Sequence, residues 1–397
     1  MNRFRAATAV LIAVLLAACV GTPPPETPGF PAQSRPTQTP LPTASSWQAA
    51  QQPITLDTAS QLRELGRLEA PEPPSTVFAY ALSLDSSMLA GLNNDFLLVW
   101  DLITGSMLIA TGRRGANAVL FDPDRSTVYT LSPDGVLRPY DARTGSTGQN
   151  LILNDAYNDV YAYDPVGGWL AFGRGDGFVD IWDLPRRARV HVLDLGEIPP
   201  TAMAFDPSSS RLAVADRSGA VTLWDTESAE QIDREELLVN ITELIYAPTG
   251  RALIASTSDG VIQLNPATGE PIRQLTTGAN AGVLEFVPES GYLLTGGAAG
   301  DLNIWDTTAQ QLRAVLPSTT GDRPSAALSP AGDMVLATTR GGSPSLWNIS
   351  EIAQGAALRG SLNLPPLDVL RAVWTSDSLQ ILVFEALGPV RVFGVTR

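Results

Sequence analysis

Residue types that commonly carry chemistry are scarce in this chain of 397 residues. It contains one cysteine, Cys19, and one histidine, His191, and every basic residue is arginine. A single His rules out a histidine-rich metal site, and a single Cys rules out a cysteine one. The lack of lysine removes Schiff-base chemistry and the phosphate-binding loop. There is no Gly-x-Ser-x-Gly elbow, and a Ser–His pair would have to use His191. Asp122 with Asp124 and Asp180 with Asp183 are carboxylate pairs. Asp122 and Asp124 flank a proline, where Asp ordinarily bonds the backbone of a turn. These residues predict no catalytic site, no bound metal and no cofactor. The formal net charge of −15 argues against nucleic acid or an anionic membrane surface as the main partner, since both need a basic face.

Cys19 stands at the end of a recognisable leader. Arg3 and Arg5 form a positive start, and Ala6 to Ala17 form an apolar run too short for a comfortable membrane span. The run closes in Leu16-Ala17-Ala18-Cys19. That ending resembles the lipobox of bacterial lipoproteins. The resemblance implies a signal peptide over residues 1–18, cut just before Cys19, and a diacylglyceryl group on the Cys19 sulfur. It also implies an extracytoplasmic, membrane-anchored protein, at the cell surface or on a periplasmic face. Two or three acyl chains, palmitate among them, hold a protein at a membrane where one does not. From residue 19 to 53 the chain is rich in Pro, Thr, Ser and Gln, with no hydrophobic period. This composition predicts a disordered tether, about 3.1 Å per residue where extended.

From residue 54 to 397 the sequence changes character. Asp176-Gly177 is followed by Phe178-Val179-Asp180-Ile181-Trp182-Asp183, a tight-turn signal and then a strand-forming run. The same ending recurs at Trp100-Asp101, Trp224-Asp225 and Trp305-Asp306. Weaker copies stand at Tyr140-Asp141, Leu264-Asn265, Trp347-Asn348 and Phe393-Gly394. The eight positions lie roughly 40 to 46 residues apart, the period of a propeller blade. Pro-containing turns such as Asp122-Pro123-Asp124, and Thr-Gly turns such as Ile103-Thr104-Gly105, divide each period into four short strands. The fold class is therefore all-β: an eight-bladed propeller of four-stranded antiparallel blades, with seven blades and a stray hairpin as the alternative. Blade eight runs out of chain after three strands, at Val369 to Trp374, Leu379 to Phe384 and Pro389 to Val395. The segment Gln61 to Glu69 is the candidate fourth strand, with Leu62, Leu65 and Leu68 as its apolar contacts, entered by a helical turn from Thr58.

These endings and turns together resemble the WD-repeat β-propeller family. The resemblance implies a monomeric interaction scaffold whose partners are other proteins. The chain departs from the family in lacking the Gly-His before each first strand, because His191 falls in a fourth strand. No blade can then complete the buried His–Trp–Ser/Thr–Asp network. Propellers that dock pyrroloquinoline quinone also carry Asp-x-x-Thr-Gly, but their Trp comes later. The alternatives to a scaffold are accordingly a quinoprotein-like enzyme or cofactor protein, or a ligand sensor. In WD-repeat propellers the loops joining fourth to first strands and second to third strands line one mouth of the channel. The resemblance implies Arg113, Arg114, Asn154, Tyr157, Asn158, Arg174, Arg217 and Arg340 as the candidate binding face.

Overall fold

Each repeat ending closes the third strand of a four-stranded antiparallel sheet. The computed structural model describes residues 47–71, 76–153, 160–208, 210–277, 283–286, 291–296, 301–316, 324–339, 344–350, 357–361 and 369–396. These contain eight such sheets, which excludes the seven-bladed alternative. We letter the strands a to d in chain order within a blade. Blade one is Ala79–Leu82, Met88–Leu92, Phe96–Asp101 and Met107–Gly112. Blade four is Pro200–Phe205, Arg211–Asp216, Ala220–Asp225 and Gln231–Glu236. Blade five opens with Ile241–Tyr246 and Leu253–Thr257. Strand b of blades one and two is buried along its whole length, whereas strand d of blade four is exposed or half-buried throughout. An outer strand with polar side chains resists pairing with another chain.

Blade eight takes its fourth strand from the other end of the chain. Arg63–Leu68 pairs antiparallel with Val390–Gly394, outside Gln380–Glu385 and Val369–Trp374. Leu65 and Leu68 are buried, and a short helical turn, Ala59–Gln61, precedes the strand. The closure expected from the sequence is what the chain forms.

The boundary at residue 54 moves. Trp47, the first described residue, already contacts the propeller: its indole Nε1 donates to the Ile103 carbonyl at 3.0 Å. Gln48 N–H donates to the Leu65 carbonyl, Gln51 and Gln52 to that of Val395, and Ile54 to that of Ser378. Trp47 lies over Gly105, where a Cβ would stand 2.2 Å from its ring. Composition around Trp47 reads as tether, but its ring against the bare backbones of Gly66 and Gly105, together with these backbone hydrogen bonds, holds the segment.

Among the described residues the core divides into eight apolar clusters, each shared by two consecutive blades, the last joining blade eight to blade one. Every repeat residue packs into the seam with the preceding blade. Trp100 lies in the seam of blades eight and one, Tyr140 in that of one and two, and Trp182 in that of two and three. Trp224, Leu264, Trp305, Trp347 and Phe393 continue the series around the ring.

Candidate interaction face and axial channel

The backbone sorts the loops onto two faces. Loops joining d to a bond to loops joining b to c: Arg113 N–H donates to the Asp95 carbonyl, Leu195 to Gly177, Arg217 to Pro199 and Leu237 to Gly219. The a–b and c–d turns bond one another on the opposite face, as Leu102 does to Ser87 and Thr226 to Ser210. Asp residues of the repeat endings belong to this second face. Asp101 Oδ1 accepts from Ile103 and Thr104 N–H at 2.8 and 2.9 Å, and Asp225 Oδ1 from Glu227 and Ser228 at 3.0 and 2.8 Å. The Ser228 N–H and hydroxyl hold the Asp225 carboxyl below its ordinary range. Asp183 accepts from Arg186 N–H at 2.9 Å, and Asp306 from Thr308 and Ala309. These carboxylates cap turns.

The arginines chosen for the first face separate into two kinds. Arg113 is half-buried, donates through Nη1 to the Ala116 carbonyl at 3.2 Å and lies over the Phe78 ring at 5.3 Å. Arg174 pairs with Asp176 and Asp180 and lies over Phe178 at 4.9 Å. Both are engaged in holding their own loops. Arg114 and Arg217 are exposed on this face. Asn154, Tyr157, Asn158 and Arg340 lie outside the described residues, as does Cys19.

His191 is half-buried in strand d of blade three, opposite Ile181. Asp122 and Asp124 sit on the turn face: Asp124 accepts from Ser126 N–H, and Asp122 accepts from the Tyr129 hydroxyl at 3.2 Å. Burial and the neighbouring Asp124 charge push the Asp122 carboxyl up to about 6.

Two charged side chains not singled out from the sequence project from the innermost strands. Register identifies the level they share. In strand b, the residues three places beyond the partner of the repeat aromatic or leucine are Leu92, Leu131, Ala215, Ser256, Thr338 and Phe384 in blades one, two, four, five, seven and eight. Their strand-a partners are Ala79, Ala118, Ala202, Glu243, Ser325 and Arg371. Glu243 and Arg371 thus stand at a level where four other blades carry Ala or Ser and blade three carries Val160, opposite Gly173. Arg371 donates to the Tyr80 hydroxyl at 3.4 Å and lies over its ring at 5.6 Å, and Tyr80 packs on Phe384 at 4.6 Å. Glu243 Oε2 accepts from the Ser256 hydroxyl at 3.3 Å. Burial pushes its carboxyl up to about 7, against the opposing pulls of that hydroxyl and of the Arg371 charge. The sequence signal was present, a lone charge inside an otherwise uncharged first strand, but only register shows that the two share a level.

The C-terminal WD40 domain of Sif2 superposes on this chain with a TM-score of 0.66 and 13% identity, covering 85% of this chain and 99% of that domain. The fold is an eight-bladed β-propeller, similar to that of this WD40 domain. The computationally designed protein Ika8 superposes similarly, with a TM-score of 0.65 and 18% identity over 83% of this chain and 99% of Ika8. Among curated proteins, this propeller is similar to the target of rapamycin complex subunit LST8 of Bos taurus, 27% identical over 208 residues, 48% of this chain and 63% of LST8. It is 26% identical over 195 residues to the periodic tryptophan protein 2 homolog of Dictyostelium discoideum, 46% of this chain and 21% of that protein. It is 28% identical over 183 residues to WD repeat-containing protein 90 of Homo sapiens, 45% of this chain and 10% of that protein. The chain therefore spans less than two thirds of the length of these curated relatives. No protein-family model matches it.

Proposed function

We propose that this WD-repeat propeller is a non-catalytic interaction scaffold, carried outside the cytoplasm on a lipid attached to Cys19, and that it binds other proteins through the face bearing Arg114 and Arg217. The closed ring carries this reading. Eight seams lock the blades together, so the described loops that carry Arg114 and Arg217 stand on a fixed frame, and exposed Arg is a frequent interface anchor. The relatives point the same way: LST8 is by name a complex subunit, and a chain of the mitotic checkpoint complex superposes with a TM-score of 0.51. The lipobox ending at Cys19 supports the anchor. The path of the strap formed by residues 47–54 supports the orientation. Trp47 binds a c–d turn and Ile54 an a–b turn, so a tether from Cys19 reaches the propeller at the turn face, and the Arg114 and Arg217 face looks outward.

The test compares wild type, Cys19→Ala and Arg114→Glu/Arg217→Glu in the native membrane. Cys19→Ala should leave the membrane fraction or accumulate as uncleaved precursor. The double variant should stay membrane-bound and lose co-purifying proteins that wild type retains. Processing and fractionation of Cys19→Ala like wild type would end the anchor reading, and an unchanged set of co-purifying proteins would end the assignment of the face.

A further inference from the structure

Glu243 and Arg371 stand on the first strands of blades five and eight, at one level of the ring. Those blades are not neighbours, so the attraction between the two charges acts across the axial channel. It is an attraction without contact: among the described residues neither side chain has an oppositely charged group within 4.0 Å. Each is instead held from its own side. Tyr80 fixes the guanidinium by its hydroxyl and ring face, and Ser256 fixes the carboxylate. Partly buried charges left without counter-charges are costly. Ala79, Ala118, Ala202 and Ser325 at the same level are small, and Val160 of blade three is the larger apolar side chain there. Threonine and leucine lie beside the pair: Thr242 and Leu370 occupy the register shifts next to Glu243 and Arg371, and both are exposed.

We propose that the axial channel is a binding site for a small zwitterion, a molecule with a carboxylate at one end and an ammonium group at the other. The carboxylate is taken by the Arg371 guanidinium, which presents a planar fork of donors. The ammonium is taken by the Glu243 carboxylate. Bound between them, the ligand compensates both charges at once, and the small residues of the level set the length that fits. A simple anion satisfies Arg371 and leaves Glu243 unpaired; a simple cation does the reverse. This site is independent of the scaffold reading, because it uses the channel wall and not the loop face.

The test is titration calorimetry and thermal unfolding of the purified full-length chain with ω-amino acids of increasing length, from glycine through γ-aminobutyrate to ε-aminocaproate. Propionate and propylamine serve as single-charge controls. One chain length, or two adjacent ones, should bind saturably and raise the unfolding midpoint by roughly 1–2 °C at about tenfold its Kd. The controls should bind at least about tenfold more weakly, the difference expected from one hydrogen-bonded charge. Glu243→Gln, nearly isosteric, should bind the best amino acid and propionate alike. Arg371→Met should bind neither, and its own unfolding midpoint shows that it has folded. The proposal is overturned if no member of the series binds, if propionate or propylamine binds wild type as tightly as the best amino acid, or if Glu243→Gln keeps the wild-type preference.

Discussion

Trp224 and Trp305 occupy the same place in their blades and differ in one hydrogen bond. Trp305 Nε1 donates to Thr295 Oγ1 at 3.1 Å. Among the described residues the buried indole N–H groups of Trp100, Trp182 and Trp224 meet no acceptor. Register gives the cause: the strand-b residues corresponding to Thr295 are Gly91, Phe172 and Val214, none of which carries a hydroxyl. The missing histidines were legible in the sequence, but the missing hydroxyls required register. Val214→Thr places an acceptor beside Trp224 at nearly constant volume and should stabilise the fold by about 1 kcal/mol, while Thr295→Val should cost about 1–2 kcal/mol. Urea unfolding of the two variants checks the pair; equal, small effects of the same sign would show that the indole N–H groups do not matter. The tryptophans themselves were legible because an aromatic that ends a strand at blade spacing marks the same packing position in each blade. Glu243 and Arg371 were not, since strands a carry no recurring motif and a single charge in one of them looks like any other.

The turns and the strap show the same division at the scale of elements. Asp-x-x-Thr-Gly predicts a c–d turn, and Gly105 and Gly145 take φ of +68° and +69° there. Arg187, Ala229 and Gln310 take positive φ at the matching places in other blades, so the conformation comes from the carboxylate-capped turn and not from glycine alone. Trp47 could not be read from its surroundings in sequence, because it is Gly66 and the more distant Gly105 that make room for its ring. This separates two otherwise similar substitutions. Gly105→Ala and Gly145→Ala both force alanine into left-handed backbone, at about 1–2 kcal/mol each. A Cβ at Gly145 meets nothing closer than Ile109 Cγ2 at 3.3 Å, whereas one at Gly105 collides with Trp47. Gly105→Ala should therefore cost about 1–2 kcal/mol more through the lost burial of Trp47, and in a Trp47→Ala background this excess should vanish. Chemical unfolding of the four variants reads it directly; equal costs at the two glycines would mean that the strap does not dock.

For the molecule as a whole, the repeat count, the blade spacing and the shortage of chain in blade eight together made the closed ring legible. What the sequence left out is how far the seal extends. Arg63–Leu68 completes blade eight by strand pairing, Leu65 and Leu68 enter the seam with blade one, and Ile54 and Ala59 enter the seam with blade seven. Arg391, next to the C-terminus of the fold, pairs with Glu64 as well as with Glu385. One N-terminal segment thus holds two seams, and a rigid face depends on both. Hydrogen exchange on a variant lacking residues 47–69 measures this dependence. The closed ring predicts that the amides of Val390–Gly394 lose most of their protection while those of Arg211–Asp216 in blade four keep theirs. Protection of Val390–Gly394 equal to that in the intact chain would contradict it.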